Sequence, residues 1–212
     1  KDRIFIMKTI EKSILLGFIF TILFSFLGFN SKCENISDKV FRLHVLANSD
    51  SSEDQQLKLC VRDKVLEYSK YIFSDAKNKD SAKQITQKHL EDIKNVAQQE
   101  VYDRGYDYKV NVKIDNMYFN TRQYGNVTMP AGNYDALKIF IGDSKGHNWW
   151  CVMFPPICLP AAEESKQLDD VLDPSQMNIV ENGNKYKIKF KIVELINGLI
   201  DYMKRFGGVS VA

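Results

Sequence analysis

The pattern of apolar and polar positions begins with an almost unbroken apolar run over residues 14–29. Four basic residues precede this run: Lys1, Arg3, Lys8 and Lys12. An apolar run of roughly 16 residues behind a positive flank is typical of an export signal, and the positive flank predicts that the rest of the chain leaves the cytoplasm. We therefore predict that residues 1–33 are a signal peptide or a membrane anchor. Cleavage before Glu34 and an uncut anchor both remain open.

Two later stretches have the three-to-four-residue apolar period of amphipathic helices. They predict helices over residues 52–73 and 81–104. A short apolar run over residues 40–47 comes before the first helix and is interrupted in alternate positions by Arg42 and His44, which predicts a strand with His44 pointing outward.

An acidic, serine-rich stretch, "NSDSSEDQ", joins this strand to the first helix. Ser51 and Ser52 are each followed, three residues later, by a side chain suited to a capping box, and acidic residues in a first helical turn suit the positive end of the helix dipole. A calcium loop is disfavoured because the central glycine is missing, and a serine nucleophile because there is no GxSxG motif. The remaining alternative is a ligand or partner contact at the turn that uses Asn48 and Asp50.

Alternation of apolar and polar side chains predicts strands in the middle of the chain. The clearest are residues 108–114, 137–141 and 149–154, the last two joined as a hairpin by a tight turn at 143–146. Together with the first strand and the two helices they predict an α+β domain over residues 34–160. Because each helix has a single apolar stripe, we expect both to pack on one face of the sheet.

The C-terminal part of the chain contains two stretches of different composition. Residues 161–183 are polar and acidic, which predicts an exposed linker, and residues 184–212 are predicted to return to the domain as a strand, "KYKIKFKI", and a short helix. The lysines of residues 185–191 would share one side of that strand. They either protect an edge strand from aggregation or bind an anionic lipid surface or an acidic partner.

Composition and motifs exclude several classes of function. A net charge of +2 disfavours nucleic acid as a partner, and we find no zinc, phosphate-loop or HExxH pattern. His44, His89 and His147 fall in separate elements. We therefore expect a binding protein without a cofactor or a small-molecule substrate. The alternative is an extracytoplasmic hydrolase of cell wall or peptide with Asp50 and Glu53 as acid and base.

The adjacent tryptophans, Trp149 and Trp150, lie on a predicted strand and must therefore face opposite sides of the sheet. One exposed tryptophan would be a favoured interface anchor. We hypothesise that Asn48, Asp50, Trp149 and Trp150 form one partner-recognition patch.

Two cysteines, Cys151 and Cys158, bracket the segment "VMFPPI". Its prolines could turn the chain back far enough for a disulfide, which export would permit. Two buried free thiols are the other interpretation.

The segments "FRLHVLANSDSSEDQQLKLCVRDKVLEY" and "YGNVTMPAGNYDALKIFIGDSKGHNWWCVMFPPICL" resemble the stage II sporulation protein R family of endospore-forming Firmicutes. The resemblance extends to "YKIKFKIVELI". It implies a signalling protein made in the forespore and exported into the space between forespore and mother cell. There it would activate a membrane-embedded aspartic protease of the mother cell, which processes the precursor of sigma factor E. The resemblance implies no catalytic residues in this chain and supplies no contact residues.

Overall fold

Helices and strands combine into a mixed α+β structure around a four-stranded sheet, which confirms the predicted fold class. The computed structural model describes residues 2–157 and 168–206. The helices are α1 (Asp2–Ser37), α2 (Ser52–Ile72), α3 (Lys79–Lys88), α4 (Leu90–Asp103), α5 (Pro174–Glu181) and α6 (Gly183–Phe206). The strands are β1 (Phe41–Leu46), β2 (Val110–Phe119), β3 (Arg122–Tyr124), β4 (Val127–Met129), β5 (Gly132–Ile141) and β6 (Asn148–Phe154).

The strand order of the main sheet is β2-β5-β1-β6, and β3 pairs with β4 in a separate two-stranded sheet. β1 runs parallel to β5 and antiparallel to β6. The predicted hairpin between β5 and β6 is therefore wrong, because β1 lies between these strands. Residues 142–147 form a loop that passes over the end of β1, and local turn signals cannot reveal an inserted third strand.

One face of the sheet packs against α2 and α4, as predicted. Its buried side chains are mostly aliphatic, among them Leu43 and Val45 of β1 and Leu137 and Ile139 of β5, with Phe41 and Phe154 at one end of the strands. The predicted second helix is divided into α3 and α4 at His89, whose backbone (φ −100°, ψ 17°) leaves the helical region.

The other face is also covered. The end of α1, the β3–β4 hairpin, α5 and α6 form a second core with it, which includes Cys33, Ile36, Tyr134 and Val152. Helix α1 thus crosses the predicted boundary at residue 33, and its last turns belong to the folded domain. Among the described residues, no helix combines the length and hydropathy that crossing a membrane requires.

The predicted C-terminal strand is wrong, because Lys185 to Ile192 are part of helix α6. Tyr186 and Phe190 of "KYKIKFKI", with Val193 directly after it, also lie at helical spacing on one side. That side packs against α1, where the Phe29 ring stacks on Tyr186 at 5.5 Å. Over a few residues, apolar side chains at every second position also include pairs at i and i+4, the spacing of a helix face. Tertiary contacts therefore decide whether such a segment forms a strand or a helix.

The predicted linker falls partly outside the described residues, namely at 161–167. Its second half is not an exposed linker: Leu168 and Leu172 are buried, and α5 contributes Met177 and Val180 to the second core. Asp173 caps α5, accepting hydrogen bonds from the backbone of Ser175 and Gln176.

Candidate functional site

The stretch between β1 and α2 is a capped and closely bonded turn. The Ser51 hydroxyl accepts a hydrogen bond from the Asp54 backbone N–H at 3.1 Å, so Ser51 is the N-cap of α2. The Asp54 carboxylate instead accepts from the Asn48 amide at 2.8 Å and the Ser49 hydroxyl at 2.5 Å. Burial raises the pKa of Asp54, but the hydrogen bonds from Ser49, Asn48 and Tyr108 outweigh it and hold this pKa below its usual range. Ser51 as the N-cap is therefore confirmed, but the reciprocal half of a capping box does not form, because the Ser51 backbone N–H donates to the Ser49 hydroxyl instead.

The same turn holds the loop at residues 142–147, and we call this junction the turn–loop clamp. Asn48 accepts the Asp143 N–H through its side-chain oxygen at 2.9 Å. The buried Lys58 of α2 donates to the His147 carbonyl at 3.0 Å. Gly142 has φ +56°, and a Cβ there would lie 2.3 Å from Asn48 Oδ1. The clamp therefore fits tightly and fixes the loop to α2.

Asp50 forms the exposed edge of the clamp. Its carboxylate accepts from the backbone N–H and pairs with the ring Nδ1 of His147, both at 2.5 Å. The His147 side chain is 81% exposed. These hydrogen bonds hold the pKa of Asp50 below its usual range, and backbone and Ser52 hydrogen bonds do the same for the pKa of Glu53. A general acid needs a raised pKa, so this geometry does not favour the hydrolase alternative.

A buried cation lies under the second face of the sheet. Arg42 is fully buried, and its guanidinium carbon is 4.2 Å from the ring centroid of Phe119 and 4.8 Å from that of Tyr134. It donates to the Cys151 carbonyl at 3.1 Å and to the Tyr124 hydroxyl at 2.6 Å, while Nη1 has no hydrogen-bond partner. We call Arg42 and these aromatic neighbours the Arg42 cage.

His44 lies next to this cage. It is 3% exposed and stacks on Trp150 with ring centroids 3.8 Å apart. Burial, together with the Lys138 ammonium, lowers the pKa of His44 to about 4. The nearby Asn148 side chain raises this pKa slightly, but neither ring nitrogen of His44 has a hydrogen-bond partner among the described residues. The prediction that His44 points outward is wrong, because both sheet faces are interiors at this position.

The two tryptophans face opposite sides of the sheet, as predicted. Trp149 is paired with Val45 and lies under the Arg62 guanidinium of α2, 4.3 Å from its ring, whereas Trp150 is paired with His44. Both are half-buried. The structure brings Asn48 and Asp50 together in the clamp but separates the tryptophans, so a common recognition patch stays a hypothesis.

Of the two cysteines in the predicted disulfide, the structure describes only Cys151. Cys151 is disulfide-bonded, whereas Cys33 and Cys60 are free thiols. Cys158 lies outside the described residues, so its pairing with Cys151 stays a prediction. Burial raises the pKa of Cys33 to about 12, which leaves that thiol unreactive.

Sequence reasoning missed Arg42 and Lys58 as buried organisers, and it missed His147 as the partner of Asp50. For Arg42 the available signal was a charged side chain within an apolar strand, whereas Lys58 on α2 and His147 in the loop before β6 carried no such signal. Their partners are far away along the chain, and no local pattern identifies them.

These features define a class of protein: an α+β domain with a rigid turn–loop clamp and a buried cation cage. Among the residues that the structure describes, no group of three His, Cys, Asp or Glu side chains could hold a metal ion.

Residues 37–164 match the model of the stage II sporulation protein R family, and the chain belongs to this family. Stage II sporulation protein R of Bacillus subtilis (strain 168) is 40% identical over 123 residues, which cover 58% of this chain and 55% of that protein. The chain thus matches about half the length of this curated relative. No solved structure matches. Family membership assigns the chain a role in sporulation.

Proposed function

We propose that this chain is an exported sporulation signal that activates a membrane-embedded aspartic protease of the mother cell. That protease then processes the precursor of sigma factor E. The observation that carries the proposal is the family match over residues 37–164, which spans every strand from β1 to β6 and the whole turn–loop clamp. The site of action is the space between forespore and mother cell.

The clamp supports a role in protein recognition. It holds an exposed charged edge, Asp50 with His147, on a loop fixed by Asn48 and Lys58. A rigid loop binds a partner with little loss of conformational entropy.

The test is reconstitution in a non-sporulating host. The full chain is co-expressed with its cognate membrane protease and the sigma precursor, and precursor cleavage is followed by immunoblot. We expect cleavage only when this chain is present. No cleavage, with all three proteins present and correctly located, would overturn the proposal.

The recognition patch has its own test in the same assay. We expect Asp50→Ala, Trp149→Ala and Trp150→Ala to reduce cleavage, with Glu53→Ala as a matched control at the start of α2. Normal cleavage by the three folded variants would exclude the patch but leave the activator function intact.

A further inference from the structure

The apolar run of α1 leaves large side chains exposed over its whole circumference. Between 51% and 69% of the surface of six of them is exposed: Ile14, Leu15, Leu16, Phe18, Phe20 and Phe24. At about 100° per residue these positions point in all directions around the helix. A protein groove covers one face of a helix, whereas lipid chains surround it, so this surface favours contact with lipid.

A groove opens where this run meets the folded domain. It has a volume of about 630 Å³ and lies between α1, α5 and α6. Its walls include Phe24, Phe29, Lys32, Ser175, Tyr186 and Lys189. We call it the α1–α6 groove. It is continuous with the exposed apolar run, because Phe24 belongs to both.

Two lysines supply the charge of the groove. Lys189 Nζ lies 3.4 Å from the Ser25 hydroxyl and 5.4 Å from the Phe29 ring centroid. Among the described residues, neither Lys32 nor Lys189 has a carboxylate partner, whereas Lys191, on the same helix, pairs with Glu194 at 2.9 Å. The groove is therefore cationic and has apolar walls.

No Asp or Glu is among the described residues that line the groove. The acidic residues adjacent in sequence to its lining have hydrogen-bond partners of their own. Glu34 accepts the Asn30 amide at 2.8 Å, and Asp173 caps the backbone of α5. The backbone N–H groups at the start of α5 thus already have an acceptor in Asp173. The ammonium groups of Lys32 and Lys189 are therefore the part of the groove that attracts an anion.

The position of Lys32 suits the surface of a bilayer. It lies about 12 Å beyond Phe24 along the axis of α1, and helical side chains lean toward the helix N-terminus. Its ammonium therefore reaches back toward the apolar run, as lysines at the ends of lipid-contacting helices do.

We propose that the α1–α6 groove binds the headgroup phosphate of an anionic phospholipid and so holds the domain against the membrane where the apolar run ends. Basic grooves between helices at a membrane surface are suited to such headgroups. This inference does not depend on protease activation.

The test measures headgroup selectivity, because the apolar run alone would bind vesicles of any charge. The full chain is floated with vesicles of phosphatidylcholine, with or without phosphatidylglycerol, at low salt. We expect the preference for phosphatidylglycerol to fall about 30-fold in Lys32→Gln/Lys189→Gln, since each lysine near an anionic surface contributes about 1 kcal/mol. The charge-preserving Lys32→Arg/Lys189→Arg variant should keep the preference.

A matched control removes the same charge elsewhere. Lys70→Gln/Lys88→Gln changes exposed lysines of α2 and α3 and should keep the preference within about twofold. An equal loss in this control, or an unchanged preference in the groove variant, would overturn the proposal. Displacement by inorganic phosphate beyond that caused by chloride of equal ionic strength would also overturn it, because the ligand would then be a soluble phosphate.

Discussion

The two faces of the main sheet are both interiors, but they are built from different chemistry. The face under α2 and α4 is filled mainly by aliphatic side chains such as Leu43 and Val45, and none of the described residues of this core carries a charge. On the opposite face β1 presents Arg42 and His44, which pack among aromatic rings. Alternation of apolar and polar residues in a strand therefore does not always mean that the polar side of the sheet is exposed to solvent. Here it separates two kinds of core.

The difference lies in how each face is stabilised. Aliphatic packing is non-directional and tolerates substitutions of similar volume. The face of the Arg42 cage depends on directed hydrogen bonds and ring contacts, in which a buried polar group is costly to leave without a partner. Substitutions on the two faces should therefore respond differently to volume, charge and pH.

The largest expected effect is at Arg42. We expect Arg42→Ala to lower the free energy of unfolding by about 4 kcal/mol, because it leaves a cavity and removes the hydrogen bond from Arg42 to the Cys151 carbonyl. Arg42→Met removes the same charge and hydrogen bonds but fills most of the volume, so its loss should be less than half as large. Urea unfolding of both variants measures this. Equal losses would show that charge, and not volume, dominates.

The next effect is the pH dependence that His44 imposes. Its pKa falls from 6.5 to about 4 on folding, so the neutral ring stabilises the native state above pH 6.5. This contribution is lost as the pH falls from 6.5 to about 4 and amounts to about 3 kcal/mol.

Urea unfolding of the wild type and His44→Phe at about pH 7 and about pH 4.5 tests this. The variant should lose less stability over this interval. An identical loss would assign the pH dependence to other groups, such as the carboxylates.

Gly142 tests the turn–loop clamp. We expect Gly142→Ala to cost about 2 kcal/mol, because the backbone has φ +56° and the new Cβ would meet Asn48. Gly105→Ala is the matched control: φ is +83° there and nothing lies within 4 Å, so it should cost only about 1 kcal/mol of backbone strain. In an Asn48→Ala background, the cost of Gly142→Ala should fall toward that of Gly105→Ala, because only the Cβ of residue 48, at 3.0 Å, then remains in the way. A double-mutant cycle measures this fall.

The smallest effect distinguishes the two serines at the start of α2. Ser51→Ala removes the N-cap and should cost about 1 kcal/mol. Ser52→Ala removes only an exposed contact with Glu53 and should change stability by less than about 0.5 kcal/mol. Thermal unfolding of the two variants measures both losses of stability. Equal losses would argue against Ser51 as the N-cap of α2.

Much of the local structure could be predicted from the sequence, because it depends on neighbours along the chain. The predicted start of α2 coincides with the observed one, and its capping serine is among the two expected. The opposite orientation of Trp149 and Trp150 follows from strand geometry alone. The polar stretch between the strand and the helix likewise identifies Asn48 and Asp50 as turn residues.

Partners that are distant along the chain could not be predicted. Asn48 binds Asp143, and Asp50 binds His147, across a loop that local turn signals had assigned to a hairpin. The alternating segment of α6 is compatible with a strand until Phe29 packs against Tyr186.

The sequence by itself therefore determined the periodic elements, the cap of α2 and the family, since each depends on residues close together or on a long specific pattern. Only the tertiary structure decided that β1 lies between β5 and β6, that Arg42 and His44 are buried, and that residues 185–192 are helical. The physical reason is that strand order and burial are set by the total free energy of packing distant segments, which no local window of the chain contains.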